Sequence, residues 1–280
     1  MKLDITKIYI DTRFRTKNSK SETDFNIELP RSFNIPDGVV AHIDDIVLPV
    51  SWSTIDERNN KVYVVFSSSP TTTKEVVIEL DKQNYDGAQF ASTLQDALNA
   101  SALGYTHAGY LIESTFTCAY DLAENKLTIS MITTGERAGF LPFHLEFYTD
   151  EYLETEFGIT SANTINTIIR NTEKFVITES NPYTCYLDLF QTRNLYLCSS
   201  ALASYDIVSN FGMDTIIKKI PCSVPYNKLL VQSSGSALDG LDVSKRTIRF
   251  IDFKLVDSSF RTIPLQGNHF SFSIVFSQKN

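Results

Sequence analysis

The chain has 280 residues, of which 42% are hydrophobic and 21% charged, with a formal net charge of −8. That length can bury one large core or two modest ones, and the composition is ordinary for a globular protein. The acidic balance argues against wholesale nucleic-acid binding, and no apolar run approaches the roughly 18 residues of a membrane span.

In residues 1–20, six cations (Lys2, Lys7, Arg13, Arg15, Lys17, Lys20) face only Asp4 and Asp11, a local charge of +4. Residues 1–24 are therefore expected to be an N-terminal arm, with Arg13, Arg15, Lys17 and Lys20 as candidate contacts to a partner or to phosphate. The opening MKLDITKIYI lacks the apolar h-region and cleavage site of a signal peptide, which predicts maturation in a reducing compartment. Cys118, Cys185, Cys198 and Cys222 fit that expectation as buried free thiols. No two of them stand at zinc-ligand spacing.

Within the arm, Lys7–Asp11 is strand-like. Phe25–Leu29 alternates Phe25, Ile27 and Leu29, which predicts a half-buried strand. Pro36-Asp37-Gly38 is a turn, because Pro presets φ and Gly accepts a positive one. The long strand Val39–Val50 follows.

Residues 53–166 predict an inserted α+β domain. It starts with short strands at Val62–Phe66 and Val76–Leu80, then the clearest helix of the chain. Asp86 and Gln89 form a capping-box pattern there, and Phe90, Leu94, Ala97 and Leu98 mark one apolar face. Phe116–Tyr120 and Leu127–Met131 predict a hairpin, and Asp150–Phe157, stopped by Gly158, a second short helix.

From 167 the β-pattern resumes, with strands at Lys174–Thr178, Thr184–Phe190, Asn194–Ser199, Thr215–Ile220, Thr247–Val256 and Phe270–Ser277. Thr247–Val256 changes phase near Phe250, which predicts a bulge or burial on both faces. Gln232–Lys245 reads as a long Gly/Ser-rich loop. In the last strand Phe270, Phe272, Ile274 and Phe276 alternate; burying them contributes roughly 6–12 kcal/mol as an upper bound. Together with Phe25–Leu29 and Val39–Val50, these make eight strands. The expected fold is thus mainly β, a single jelly-roll sandwich of eight antiparallel strands in two sheets. Residues 1–52 and 167–280 form it, and 53–166 is inserted after the second strand.

No constellation predicts catalysis. Asp44 and Asp45 are expected to point to opposite faces of their strand and so not to act as a pair. His42 and Asp44 share a face, but no G-x-S-x-G elbow supplies a nucleophile. His42, His107, His144 and His269 are scattered, and no Gly-rich phosphate cradle occurs. No cofactor and no metal site is expected. A carbohydrate-binding or adhesin module on a fibre or surface is the alternative function; Trp52, Tyr105 and Tyr110 would be its aromatic platform.

Several stretches carry a resemblance: IYIDTRFR (Ile8–Arg15), FNIELP (Phe25–Pro30), PDGVVAHIDDIVLPVSWSTI (Pro36–Ile55) and PLQGNHFSFSIVF (Pro264–Phe276), with RNLYLCSS (Arg193–Ser200) and KKIPCSV (Lys218–Val224) besides. In order and spacing the chain resembles the penton (minor capsid) proteins of Polinton/Maverick elements, adintoviruses and virophages. The resemblance implies a non-enzymatic jelly-roll protomer that forms a homopentamer at the fivefold vertices of an icosahedral capsid. It also implies trimers of a double-jelly-roll major capsid protein as neighbours, other minor or cement capsid proteins as further partners, and the insertion as an outward knob. The chain would be made in the host cytoplasm and end in the virion. Ser67–Lys74 and Gln232–Lys245 are candidate contact loops, and genome contact is expected only through the basic arm.

Overall fold

Alternation of apolar and polar residues builds nearly every strand of the computed structural model. It describes residues 5–69, 72–107, 110–134, 144–147, 175–190, 192–204, 215–233 and 240–278. The first three strands are β1 (Thr6–Asp11), β2 (Asp24–Asn34) and β3 (Val39–Pro49). Next come β4 (Lys61–Ser69), β5 (Thr72–Glu79), helix α1 (Gly87–Ala102), β6 (Thr106–His107), β7 (Tyr110–Leu111), β8 (Glu113–Asp121), β9 (Lys126–Thr134), β10 (His144–Phe147), β11 (Phe175–Ile177) and β12 (Tyr183–Tyr186). The chain closes with β13 (Asn194–Cys198), β14 (Ile216–Pro221), β15 (Leu229–Ser233), β16 (Leu241–Asp242), β17 (Thr247–Val256) and β18 (Ser271–Gln278). Two compact units result: Met1–Trp52 with Thr192–Asn280, and Ser53–Gln191.

The first unit is a jelly roll, and its pairings define it. The first strand pairs with the last, β1 with β18; β2 pairs with β17, β3 with β15 and β16, and β13 with β14, all antiparallel. This nested order is what a two-stranded ribbon gives when it wraps on itself. It yields one sheet in the order β1-β18-β3-β15, with β16 continuing the β15 edge along β3, and a second in the order β14-β13-β17-β2. Apolar residues of both sheets meet in one core, where Phe25 and Phe253 of the second sheet pack on Phe270 and Phe272 at the start of β18. Ring centroids there lie 4.9–5.8 Å apart, in edge-on and tilted contacts that suit aromatic quadrupoles, with Phe270 and Phe272 themselves stacked.

Three expectations need correction. The described part of the expected arm 1–24, from residue 5 on, is held to the sandwich: β1 is an integral strand, and the backbone N–H of Thr12 donates to the Phe270 carbonyl at 3.1 Å while Phe270 N–H donates to Thr12 Oγ1 at 3.1 Å. Thr16 N–H likewise donates to the Asn26 carbonyl at 2.8 Å. The boundary at 167 falls instead after 191, because β11 pairs with β10 and β12 with β9, inside the second unit. Gln232–Lys245 is in part strand, since Leu229–Ser233 and Leu241–Asp242 form one edge of the first sheet. So β1 and the β15/β16 edge take the places that Lys174–Thr178 and Thr184–Phe190 were expected to fill. The bulge near Phe250 is present: the β17–β2 register shifts between Ile248 and Phe250.

The second unit has its own core. Its sheets run β11-β10-β4-β5 and β12-β9-β8, with a small β6–β7 ribbon. Asp86 caps α1 through a complete capping box with Gln89, satisfying amides that the first turn leaves without partners. Phe90, Leu94 and Leu98 are fully buried on one face of the helix. On another, Asn99 exchanges two hydrogen bonds with the Phe116 backbone (3.0 and 2.7 Å) and Gln95 accepts from Cys118 N–H (3.0 Å), clamping α1 along β8. Of the expected contact loop Ser67–Lys74, Ser67–Ser69 closes β4 and Thr72–Lys74 opens β5. The expected helix at Asp150–Phe157 lies outside the described residues.

Candidate functional site

The polar concentration of the sandwich lies on the first sheet, around β1, β18 and β3. Ile43 pairs with Ile274 and Ile46 with Phe272, so Asp44 and Asp45 together stand opposite Ser273 alone. Two residues facing one is a β-bulge. Ile43 and Ile46 are both buried in the core, which leaves both aspartates outside it rather than on opposite faces as simple alternation predicts.

Each neighbouring charge then has an assigned partner except one. Lys7 Nζ sits 2.6 Å from Asp44 Oδ2 and 5.3 Å from the centre of the Tyr9 ring. Its hydrogen bond to Asp44 raises the Lys7 pKa above the ordinary lysine value. Asp11 grips Arg13 with both carboxylate oxygens, at 2.5 to 3.1 Å, and this bond holds the Asp11 carboxyl below its usual range. Asp45 Oδ1 and Ser273 Oγ are buried and have no hydrogen-bond partner among the described residues. A crevice of about 270 Å³ opens here, lined by Tyr9, Ile10, Asp11, Phe14, Ile27, Asp45, Ser271 and Phe272.

Of the basic residues singled out in the sequence, three are held by the domain itself. Arg13 is bound to Asp11, Arg15 donates to the Thr12 carbonyl at 3.0 Å, and Lys20 lies 3.5 Å from Asp24. Lys17 is exposed and makes no ion pair among the described residues. Sequence reasoning missed Tyr9, Phe14 and Ser273, and weighed Asp45 only as half of a carboxylate pair split across the strand. The alternation of Ile8 and Ile10 in KIYID already turned Tyr9 outward, whereas nothing in the sequence marked Phe14, which follows β1 on a single 3-10 turn.

The other candidates dissolve into structure. Trp52 and Tyr105 are buried, the latter with its hydroxyl 2.7 Å from Ser68 Oγ and 2.8 Å from the Thr72 carbonyl, so they cannot present a sugar-binding platform. Tyr110 alone of the three is exposed. Among the described residues, no three His, Cys, Asp or Glu side chains converge as a metal site. All four cysteines are free; Cys118, Cys185 and Cys198 are buried and Cys222 is partly so. Burial pushes the Cys118 and Cys185 thiols up to about 12, the opposite of an activated nucleophile. No helix among the described residues is long and apolar enough to cross a membrane.

Fold and site together define a single jelly roll with an α+β insertion and an acidic, aromatic crevice on one sheet. The mavirus penton protein has the same fold: the two superpose with a TM-score of 0.53 over 98% of this chain and 99% of that one, at 11% identity. A chain of the Sputnik virophage structure aligns over 99% of both chains at 14% identity, with a TM-score of 0.46. No protein-family model and no curated protein sequence matches the chain.

Proposed function

We propose that this chain is a structural capsid protein of the penton type, a non-catalytic subunit that forms homopentamers at the fivefold vertices of an icosahedral virion. The observation that carries the proposal is the end-to-end correspondence in fold with the mavirus penton protein, which takes in the insertion as well as the sandwich. The physics of the fold suits the role. A vertex protein has to transmit load between neighbours without deforming, and two sheets packed over one dense aromatic core resist compression. A five-membered ring also needs heterologous contacts, in which one patch of the protomer meets a different patch of the next. The sandwich offers such unlike patches on opposite edges of its first sheet: Tyr9 at β1, and Leu229 and Val231 at β15, all exposed.

The neighbours in this proposal are trimers of a double-jelly-roll major capsid protein, with other minor or cement capsid proteins between them. Lys17, and Arg13, Arg15 and Lys20 through their exposed faces, supply the basic contact to a neighbouring capsomer or to the packaged genome. Exposed ion pairs contribute little to folding, so neutralising all four residues is expected to leave the chain folded and lower its incorporation into particles. Normal incorporation of that variant would remove the basic segment from the proposal.

Imaging particles reconstituted with and without the chain tests the function itself. Filled fivefold positions only when the chain is present are the expected result. Vertices filled equally in its absence would overturn the proposal.

A further inference from the structure

The crevice on the first sheet is short of one positive charge. Two carboxylates line it, Asp11 and Asp45, and Asp44 adjoins Asp45 on the bulge; the nearby cations Arg13 and Lys7 are hydrogen-bonded to Asp11 and Asp44, and Lys7 acts on Asp45 only through space. Asp45 remains, with Oδ1 buried and unpartnered. A carboxylate oxygen removed from water without a donor is unfavourable, and a donor arriving from outside recovers that free energy. Ser273, fully buried directly across from the bulge, likewise has no partner for its Oγ among the described residues.

The apolar half of the site points to the same ligand. Tyr9 and Phe14 are each 77% exposed, an unusual outlay of aromatic surface, and both line the crevice. Aromatic faces attract cations, as Lys7 over Tyr9 already shows at this site. They also cover methylene stems, and lysine and arginine carry a stem of that kind below their charged heads. A neutral apolar ligand would leave Asp45 unpaired, and an anion would be repelled by it.

We propose that this crevice is a socket for one lysine or arginine side chain carried by an abutting capsid subunit. Its stem lies on Tyr9 and Phe14 and its charged head meets Asp45. The identity of the carrier rests on the capsid function proposed above; the chemistry of the socket does not.

The test has two arms. In the first, the purified full-length chain is titrated with N-acetyl-arginine methylamide and N-acetyl-lysine methylamide while the ring signals of Tyr9 and Phe14 are followed by NMR. Saturable shifts are expected, absent with N-acetyl-norleucine methylamide, abolished by Asp45→Asn and weakened severalfold by Tyr9→Ala, a surface change that leaves the core untouched. Equal shifts from the norleucine amide, or shifts that survive Asp45→Asn, would overturn the socket. In the second arm, particles are reconstituted with the Asp45→Asn chain, and a severalfold drop in vertex occupancy is expected. Unchanged occupancy would overturn its role in assembly. Amide binding by a chain that never occupies vertices would uphold the socket and defeat the capsid function; occupied vertices without amide binding would do the reverse.

Discussion

In the inserted unit, β4 pairs with β5 and β8 with β9, neighbours in the chain, and α1 lies along β8. In the sandwich, β1 pairs with β18 and β2 with β17, so that more than 200 residues separate partners such as Ile8 and Ile274. Both units bury a single apolar core, yet one closes mainly through local hairpins and the other through the two ends of the chain. Non-local closure costs more loop entropy before any contact is gained, so the sandwich depends more heavily on its aromatic core. A sandwich built this way has a frame whose integrity requires both ends of the polypeptide.

Substitutions that hit one unit and spare the other test this contrast. Phe253→Ala removes a buried ring that touches Phe25 beside it and Phe272 across the sandwich, and should cost about 3–5 kcal/mol. Calorimetry should show the sandwich transition moving down while that of the insertion stays; a shift of both together would mean that the units unfold as one. Leu94→Ala, on the buried face of α1, should do the converse at about 2–5 kcal/mol. Weaker still, Asp86→Ala deletes the helix cap and should lower the stability of the insertion alone by about 1 kcal/mol, measurable in urea.

The thiols sharpen the comparison at little structural cost. Burial holds Cys118 and Cys185 in the insertion at about 12, and Cys198 and Cys222 in the sandwich at about 11, against an ordinary 9.0. Iodoacetamide at pH 8 should label the folded insertion far more slowly than the unfolded chain. A thiol whose pKa is raised by folding keeps its proton in the native state after the unfolded chain has lost it. Stability is therefore unaffected below about pH 9 and falls as pH climbs from about 9 toward 12. The decline should extend higher in pH for the insertion than for the sandwich, because its thiols titrate last. Rapid labelling of Cys118 at pH 8 in the native protein would contradict the packing of β8.

Local signals in the sequence were readable. The capping box at Asp86, the β8–β9 hairpin, the phase change at Phe250 and the alternation of Phe272, Ile274 and Phe276 each report on a few adjacent residues, and each has its counterpart in the structure. Partnership is another matter. Phe175–Ile177 and Tyr183–Tyr186 look like any other strand, and nothing in their own residues assigns them to β10 and β9 rather than to the sandwich. Leu229–Ser233 was hidden because it is an edge strand with Leu229 and Val231 exposed, so it lacks a clean polar face. The bulge at Asp44 and Asp45 did leave a trace. Ala41 and Ile43 are followed by Ile46 and Leu48, and the step of three where two is expected is the extra residue. The crevice depends on that bulge and on the turn that brings Phe14 beside β1, which no single segment encodes.

Native-state hydrogen exchange tests the closure of the two ends most directly. Hydrogen-bonded amides of β1 should exchange as slowly as those of β18 and β3, through one shared opening, while α1, β8 and β9 open at a free energy of their own. Amides of β1 exchanging at the rate of a frayed terminus, with β18 still protected, would contradict that closure.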